Sequence, residues 1–123
     1  MQKTFEIETS DGLKKLQIEI AETFFRRLRG LMGRKKLSQG HGLLLSPCSS
    51  VHMLFMRFSI DVVYVDKNFV IKKIVRDLPA WFGVSICFGA ESAFEFSAGE
   101  ADRLKLQVGD KFYWSKLKTA EPF

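Results

Sequence analysis

The sequence is short of the residues around which most enzymes and metal proteins are built. It holds two histidines and two cysteines in 123 residues, so bases, thiols and imidazole ligands are scarce. Cys48 and Cys87 form neither a Cys-x-x-Cys pair nor a zinc-type spacing, and in a cytosolic chain they read as buried free thiols. No Gly-x-Ser-x-Gly phrase occurs, which excludes a nucleophile elbow, and no Gly-x-x-x-x-Gly-Lys-Ser/Thr phrase, which excludes a Walker A loop. Apolar runs such as residues 42–45 and 62–65 are far too short to cross a bilayer. Residues 1–8 mix charged and apolar side chains and contain no signal-peptide core. These absences lead to the expectation of a cytoplasmic protein with no membrane partner, no metal and no cofactor.

What is present fits a small globular domain. Hydrophobic residues make up 46% and charged residues 27%, and the twelve phenylalanines supply bulk for a core. The length allows one domain over residues 1–123 and leaves no room for two of ordinary size. Charge is unevenly placed. Between Glu22 and Asp61 there is no acidic residue, while Arg26, Arg27, Arg29, Arg34, Lys35, Lys36 and Arg57 all fall there. A basic segment of this kind attracts anions, so binding of nucleic acid phosphates or another polyanion through residues 26–36 is one functional reading.

Residues 3–9 alternate apolar and charged, Asp11-Gly12 supplies a turn, and residues 13–20 resume the alternation, which predicts a β-hairpin. Phe24, Phe25, Leu28, Leu31 and Met32 recur at helical spacing behind Thr23 as N-cap, predicting a short helix over 22–32. Strands are expected at 42–45, 51–58, 60–65, 69–75, 93–97 and 111–117, with a helical turn in 99–106 and irregular chain over 78–88. Seven or eight short strands with closely spaced turns favour a mostly β fold, a sandwich or partly closed barrel with one or two short helices.

Several phrases in order resemble the prokaryotic domain-of-unknown-function family 192. They are Phe25-Arg26-Arg27-Leu28-Arg29-Gly30-Leu31-Met32-Gly33-Arg34, Val51-His52-Met53-Leu54-Phe55-Met56-Arg57-Phe58-Ser59-Ile60-Asp61-Val62-Val63-Tyr64-Val65-Asp66, then Phe94-Glu95-Phe96-Ser97-Ala98-Gly99 and Val108-Gly109-Asp110. The resemblance implies a β-rich, jelly-roll-like sandwich with one helix near the N-terminus. It implies no activity.

Among chemistry-bearing residues, Cys48, His52 and Met56 recur every four positions and combine soft donors suited to copper(I). Pro47-Cys48-Ser49-Ser50 reads as loop, however, and the competing reading is a core strand. A Ser/Cys-His-acid triad from Cys48 or Ser50, His52 and Asp61 lacks any supporting phrase. Asp61 opens an apolar strand and needs partners, with Arg57 or a turn as the simplest ones. Glu95 lies between Phe94 and Phe96, and alternation turns it away from them, toward solvent or a salt bridge. Trp81-Phe82 is expected to cover an open end of the sandwich. The leading expectation is a non-catalytic binding or accessory domain, monomeric or weakly homodimeric, with a small-ligand site near His52, Met56, Arg57, Asp61 and Trp81. Unrecognised catalysis is the third reading, after polyanion binding.

Overall fold

The structure, a computed structural model, describes residues 2–21, 23, 31, 34 and 36–114. The predicted hairpin is present as β1 (Gln2–Thr9) and β2 (Gly12–Ala21), paired from Gln2↔Glu19 to Thr9↔Gly12. Its turn is held by the Thr9 hydroxyl, which accepts from the Asp11 N–H at 3.1 Å and donates to the Gly12 carbonyl. Alternation along both strands sends Phe5, Ile7, Leu16, Ile18 and Ile20 to one face, where all are buried.

The chain continues as β3 (His41–Leu45), β4 (Ser50–His52), β5 (Ile60–Val65), β6 (Ile71–Leu78), β7 (Val84–Ile86), β8 (Ser92–Ser97), the short helix α1 (Glu100–Arg103) and β9 (Phe112–Trp114). Seven strands form one sheet in the order β6-β5-β8-β3-β2-β1-β9, with β2 and β3 parallel and the other pairs antiparallel. The sheet curls until its two ends meet: Val70 bridges Lys111, and the Phe112 N–H donates to the Phe69 carbonyl at 3.0 Å. The fold is therefore mostly β and is a partly closed barrel.

Each of the seven strands sends side chains inward, with Leu44, Val63, Ile71, Phe94, Phe96 and Phe112 joining the hairpin residues, and Ala101, Leu104 and Leu106 closing the end. Phe94 stacks on Phe112 with ring centroids 4.2 Å apart. Gly42 permits this packing, because a Cβ there would lie 2.6 Å from the Phe96 ring.

A second core covers the outer face of β3, β5 and β8. Leu43, Leu45, Ile60, Val62, Tyr64 and Ala93 point outward there and are buried under Leu31, Val51, Met53 and Met56. The covering layer is a two-stranded ribbon, β4 paired antiparallel with β7 through Ser50↔Ile86, Val51↔Ser85 and His52↔Val84.

Several sequence expectations change here. The strand expected over 51–58 ends at His52, because Met53 begins a turn in which Phe55 takes a left-handed φ of 65°. The segment 78–88 is not wholly irregular, since it contains β7. The strand expected over 69–75 runs instead from Ile71 to Leu78. The helix expected over 22–32 lies outside the described residues except for Thr23 and Leu31, and so do positions 115–117 of the last strand.

Asp61 ties the barrel end together. It is 1% exposed and points to the barrel interior, where Oδ1 accepts the Asp77 N–H at 2.9 Å, and Oδ2 accepts those of Gly99 at 3.1 Å and Ala101 at 2.8 Å. One carboxylate thus fixes the β6 irregularity, where Asp77 has φ 54°, and the turn leading into α1. Asp61→Asn keeps the shape but exchanges an acceptor oxygen for a donor. Its expected cost is about 2 kcal/mol in urea unfolding, with an unchanged dependence on denaturant.

Candidate functional site

The five residues expected to surround a ligand divide between two faces of the sheet. Asp61 points into the barrel and its carboxylate is occupied by three backbone donors, so it makes no pair with Arg57. Met56 is 3% exposed and packs beneath the ribbon as core. His52, Arg57 and Trp81 are exposed on the ribbon side. Of the basic residues expected to bind polyanions, Arg26, Arg27, Arg29 and Lys35 lie outside the described residues. Arg34 is ion-paired with Glu19 at 2.8 Å, and Lys36 is exposed. Among the described residues no group of three His, Cys, Asp or Glu side chains could hold a metal. Cys48 and Cys87 are thiols rather than a disulfide, and they are half-buried rather than buried.

What the structure brings together instead is an apolar surface. Along β7 and its flanks, Phe82, Val84, Ile86 and Phe88 occupy every second position and all face solvent, with exposures of 89%, 74%, 46% and 89%. Between them Gly83 and Ser85 are buried and Cys87 is half-buried. The usual strand alternation is inverted: the apolar set points out and the polar residue points in. Ser85 is met from below by Tyr64, whose hydroxyl lies 2.6 Å from the Ser85 Oγ. Burial pushes the Tyr64 phenol up to about 12, so it stays protonated and the hydrogen bond persists at any ordinary pH.

Leu54, Phe55 and Trp81 extend the surface. The turn after β4 and the turn before β7 are joined by the Trp81 N–H donating to the Met53 carbonyl at 2.8 Å and the Met53 N–H donating to the Gly83 carbonyl at 2.9 Å. This brings the rings of Phe55 and Trp81 edge to face, 5.4 Å apart. Both residues adopt left-handed backbone, φ 65° and 70°, a conformation costing about 1 kcal/mol or more for a bulky side chain. Lys73 closes one margin by donating to the Ile86 carbonyl at 2.9 Å.

This surface escaped the reading of single motifs, although the sequence carries a signal for it. No Asp, Glu, Lys or Arg occurs between Lys36 and Arg57 or between Asp77 and Glu91, and these two stretches build the whole ribbon. Trp81 and Phe82, expected to cover an open end of the sandwich, are themselves uncovered, because the core beneath them is filled by Met53, Met56 and Leu78.

A second feature lies under the ribbon layer. Glu95 was expected at solvent or in a salt bridge, yet it is 4% exposed on the outer face of β8, between Leu43 and Val62. Burial raises its pKa to about 8, with no hydrogen bond or counter-ion among the described residues to oppose the shift. Alternation correctly parted it from Phe94 and Phe96, but a strand covered on both faces has no solvent side.

Comparison with known proteins places the molecule among uncharacterised relatives. The family model DUF192, described as "Uncharacterized ACR, COG1430", matches residues 5–114. A UPF0127 protein of Thermococcus sibiricus is 33% identical over 102 residues, 80% of this chain and 66% of that protein; the chain thus spans just under two thirds of that relative. A UPF0127 protein of Pyrococcus furiosus is 31% identical over 108 residues, 84% of this chain and 90% of that one. Two crystal structures share the fold. One is a protein of unknown function from Novosphingobium aromaticivorans, with TM-score 0.85 and 21% identity, covering 92% of this chain and 85% of that chain. The other is a proposed transcription regulator from Sinorhizobium meliloti, with TM-score 0.87 and 20% identity, covering 95% and 96%.

The buried Glu95 makes stability depend on pH. The unfolded chain releases this proton near 4.5, whereas the folded chain holds it to about 8. Between those values the folded state binds the extra proton, so its contribution is complete below the lower value and falls as pH rises to the upper one. The expected loss is roughly 1 kcal/mol per pH unit across that window. Thermal unfolding followed across it should show a steadily falling Tm. Glu95→Gln should flatten that fall, and an unchanged slope in this variant would assign the pH dependence to other groups.

Proposed function

We propose that this chain, which belongs to the DUF192 family, is a non-catalytic binding or accessory domain whose working surface is the apolar outer face of the β4–β7 ribbon. The observation that carries this reading is the outward stripe Phe82, Val84, Ile86 and Phe88, continued by Phe55 and Trp81. Isolated exposed apolar residues are common on proteins, but a contiguous patch of large ones marks a surface that meets something. Burial of the patch in a complex is driven by the release of apolar surface from water, at about 25 cal/mol per Å². His52, exposed on the same ribbon, provides a polar group of the kind a binding surface needs for orientation.

What supports binding is that the stripe itself, Phe82, Val84, Ile86 and Phe88, is hydrocarbon and aromatic, able to exclude water from a contact.

The fluorescent probe 1-anilinonaphthalene-8-sulfonate tests the reading, used at low micromolar protein. The native protein should enhance its emission, and Phe82→Ser combined with Phe88→Ser should remove most of that enhancement while leaving Tm within about 2 °C. If the double variant keeps the enhancement the dye binds elsewhere, and if it unfolds well below the parent the side chains serve the core; either outcome overturns the reading.

A further inference from the structure

We infer that the occupant of the ribbon face is a second copy of this chain, packed antiparallel across a two-fold axis that passes by Ser85. This rests on the reading of that face as a binding surface. The inference comes from the order of its side chains. Outward residues about Ser85 read Phe82, Val84, then Ile86, Phe88, which is the same pattern in both chain directions. In a two-fold contact, residue i of one copy meets residue j of the other while j meets i. An antiparallel two-fold at Ser85 therefore sets Phe82 against Phe88 of the other copy, and Val84 against Ile86, at both ends at once. Ring meets ring and branched aliphatic meets branched aliphatic, with no charge left opposite a hydrocarbon.

Two further observations favour a copy of the same chain. The stripe itself carries no charge that would repel a second copy of this chain, whose net charge is +5. From Leu78 to Ala90 no residue is charged. Proteins that guard against self-pairing place charges on such strands, and here Lys73 guards only the backbone margin at Ile86, not the face. The size of the surface also fits. The exposed parts of Leu54, Phe55, Trp81, Phe82, Val84, Ile86 and Phe88 amount to roughly 800 Å², close to what each partner buries in a stable protein complex. A small ligand would cover only a fraction of that area.

Sedimentation equilibrium of the full chain from low micromolar to near-millimolar concentration tests this, with three variants. The parent should associate reversibly to a dimer. Val84→Lys should weaken association by roughly a hundredfold, because an ammonium would be buried against Ile86 twice per dimer. Leu13→Lys, at an exposed apolar position on the β1–β2 hairpin, should leave it unchanged. Ile86→Glu alone should also be monomeric. Mixing it with Val84→Lys should restore a dimer, since only the antiparallel register sets the introduced ammonium of one chain against the introduced carboxylate of the other.

A parent that stays monomeric throughout overturns the inference, as does a dimer that survives Val84→Lys. A mixture that fails to reassociate overturns the antiparallel arrangement. A monomer that nonetheless enhances the dye loses the inference and keeps the binding surface, whereas a monomer that does neither loses both. A monomer whose ribbon variants lose binding to phosphatidylcholine vesicles would assign the face to a lipid surface and overturn the dimer.

Discussion

Strands β3, β5 and β8 are buried on both faces, and the architecture follows from that constraint. Leu43-Leu44-Leu45 and the run from Ile60 to Val65 cannot be half-solvated, so closing the sheet into a barrel satisfies only one side of them. The outer side needs a second layer, and the ribbon of β4 and β7 with its turns is that layer. The long crossings from β3 to β5 and from β6 to β8 exist to carry it.

A covering layer has two faces, and folding makes demands on only one. Val51, Met53 and Met56 meet the inward demand. Nothing in the barrel requires Phe82, Val84, Ile86 and Phe88 to be apolar, since serine or lysine at these sites would cover Tyr64 and Val62 as well. Solvation is thus forfeited at each of them without any return in folding. The left-handed backbone at Phe55 and Trp81 adds a local cost of the same kind. Features that cost stability and serve no packing purpose are where function is sought, and here they coincide on one surface.

The barrel was legible in the sequence because its strands are long enough to show their period. The alternation of β1 and β2 and the β-branched run of β5 marked their positions nearly to the residue, and the resemblance to a known family supported a β-rich fold. The ribbon was less legible. Strands of three residues show no period, and Pro79, Gly83 and Gly89 punctuate the segment that holds β7. Its alternation over positions 82–88 was present but had the wrong sense for a strand packing on its own core. Asp61 reads in the sequence as an acid that needs partners, yet those partners, Asp77, Gly99 and Ala101, are distant in sequence and are supplied by topology. The ligand constellation failed to assemble for a related reason: His52 and Asp61 lie on opposite sides of a sheet that local spacing cannot reveal.

The direction in which the ribbon faces is set by one hydroxyl. Tyr64 projects from β5 into the outer core, where its phenol has been pushed up to about 12 by burial and cannot relieve its isolation by ionising. It requires a small polar partner from the covering layer, and Ser85 is the residue of β7 that meets it. With Ser85 turned inward, strand parity turns Phe82, Val84, Ile86 and Phe88 outward. A slip of one residue in β7 would hide the aromatic stripe, but it would bring valine or isoleucine over the phenol and leave that hydroxyl without a partner, at about 1–3 kcal/mol. The buried hydrogen bond contributes modestly to stability and strongly to register. In this molecule register decides whether the apolar face is presented at all.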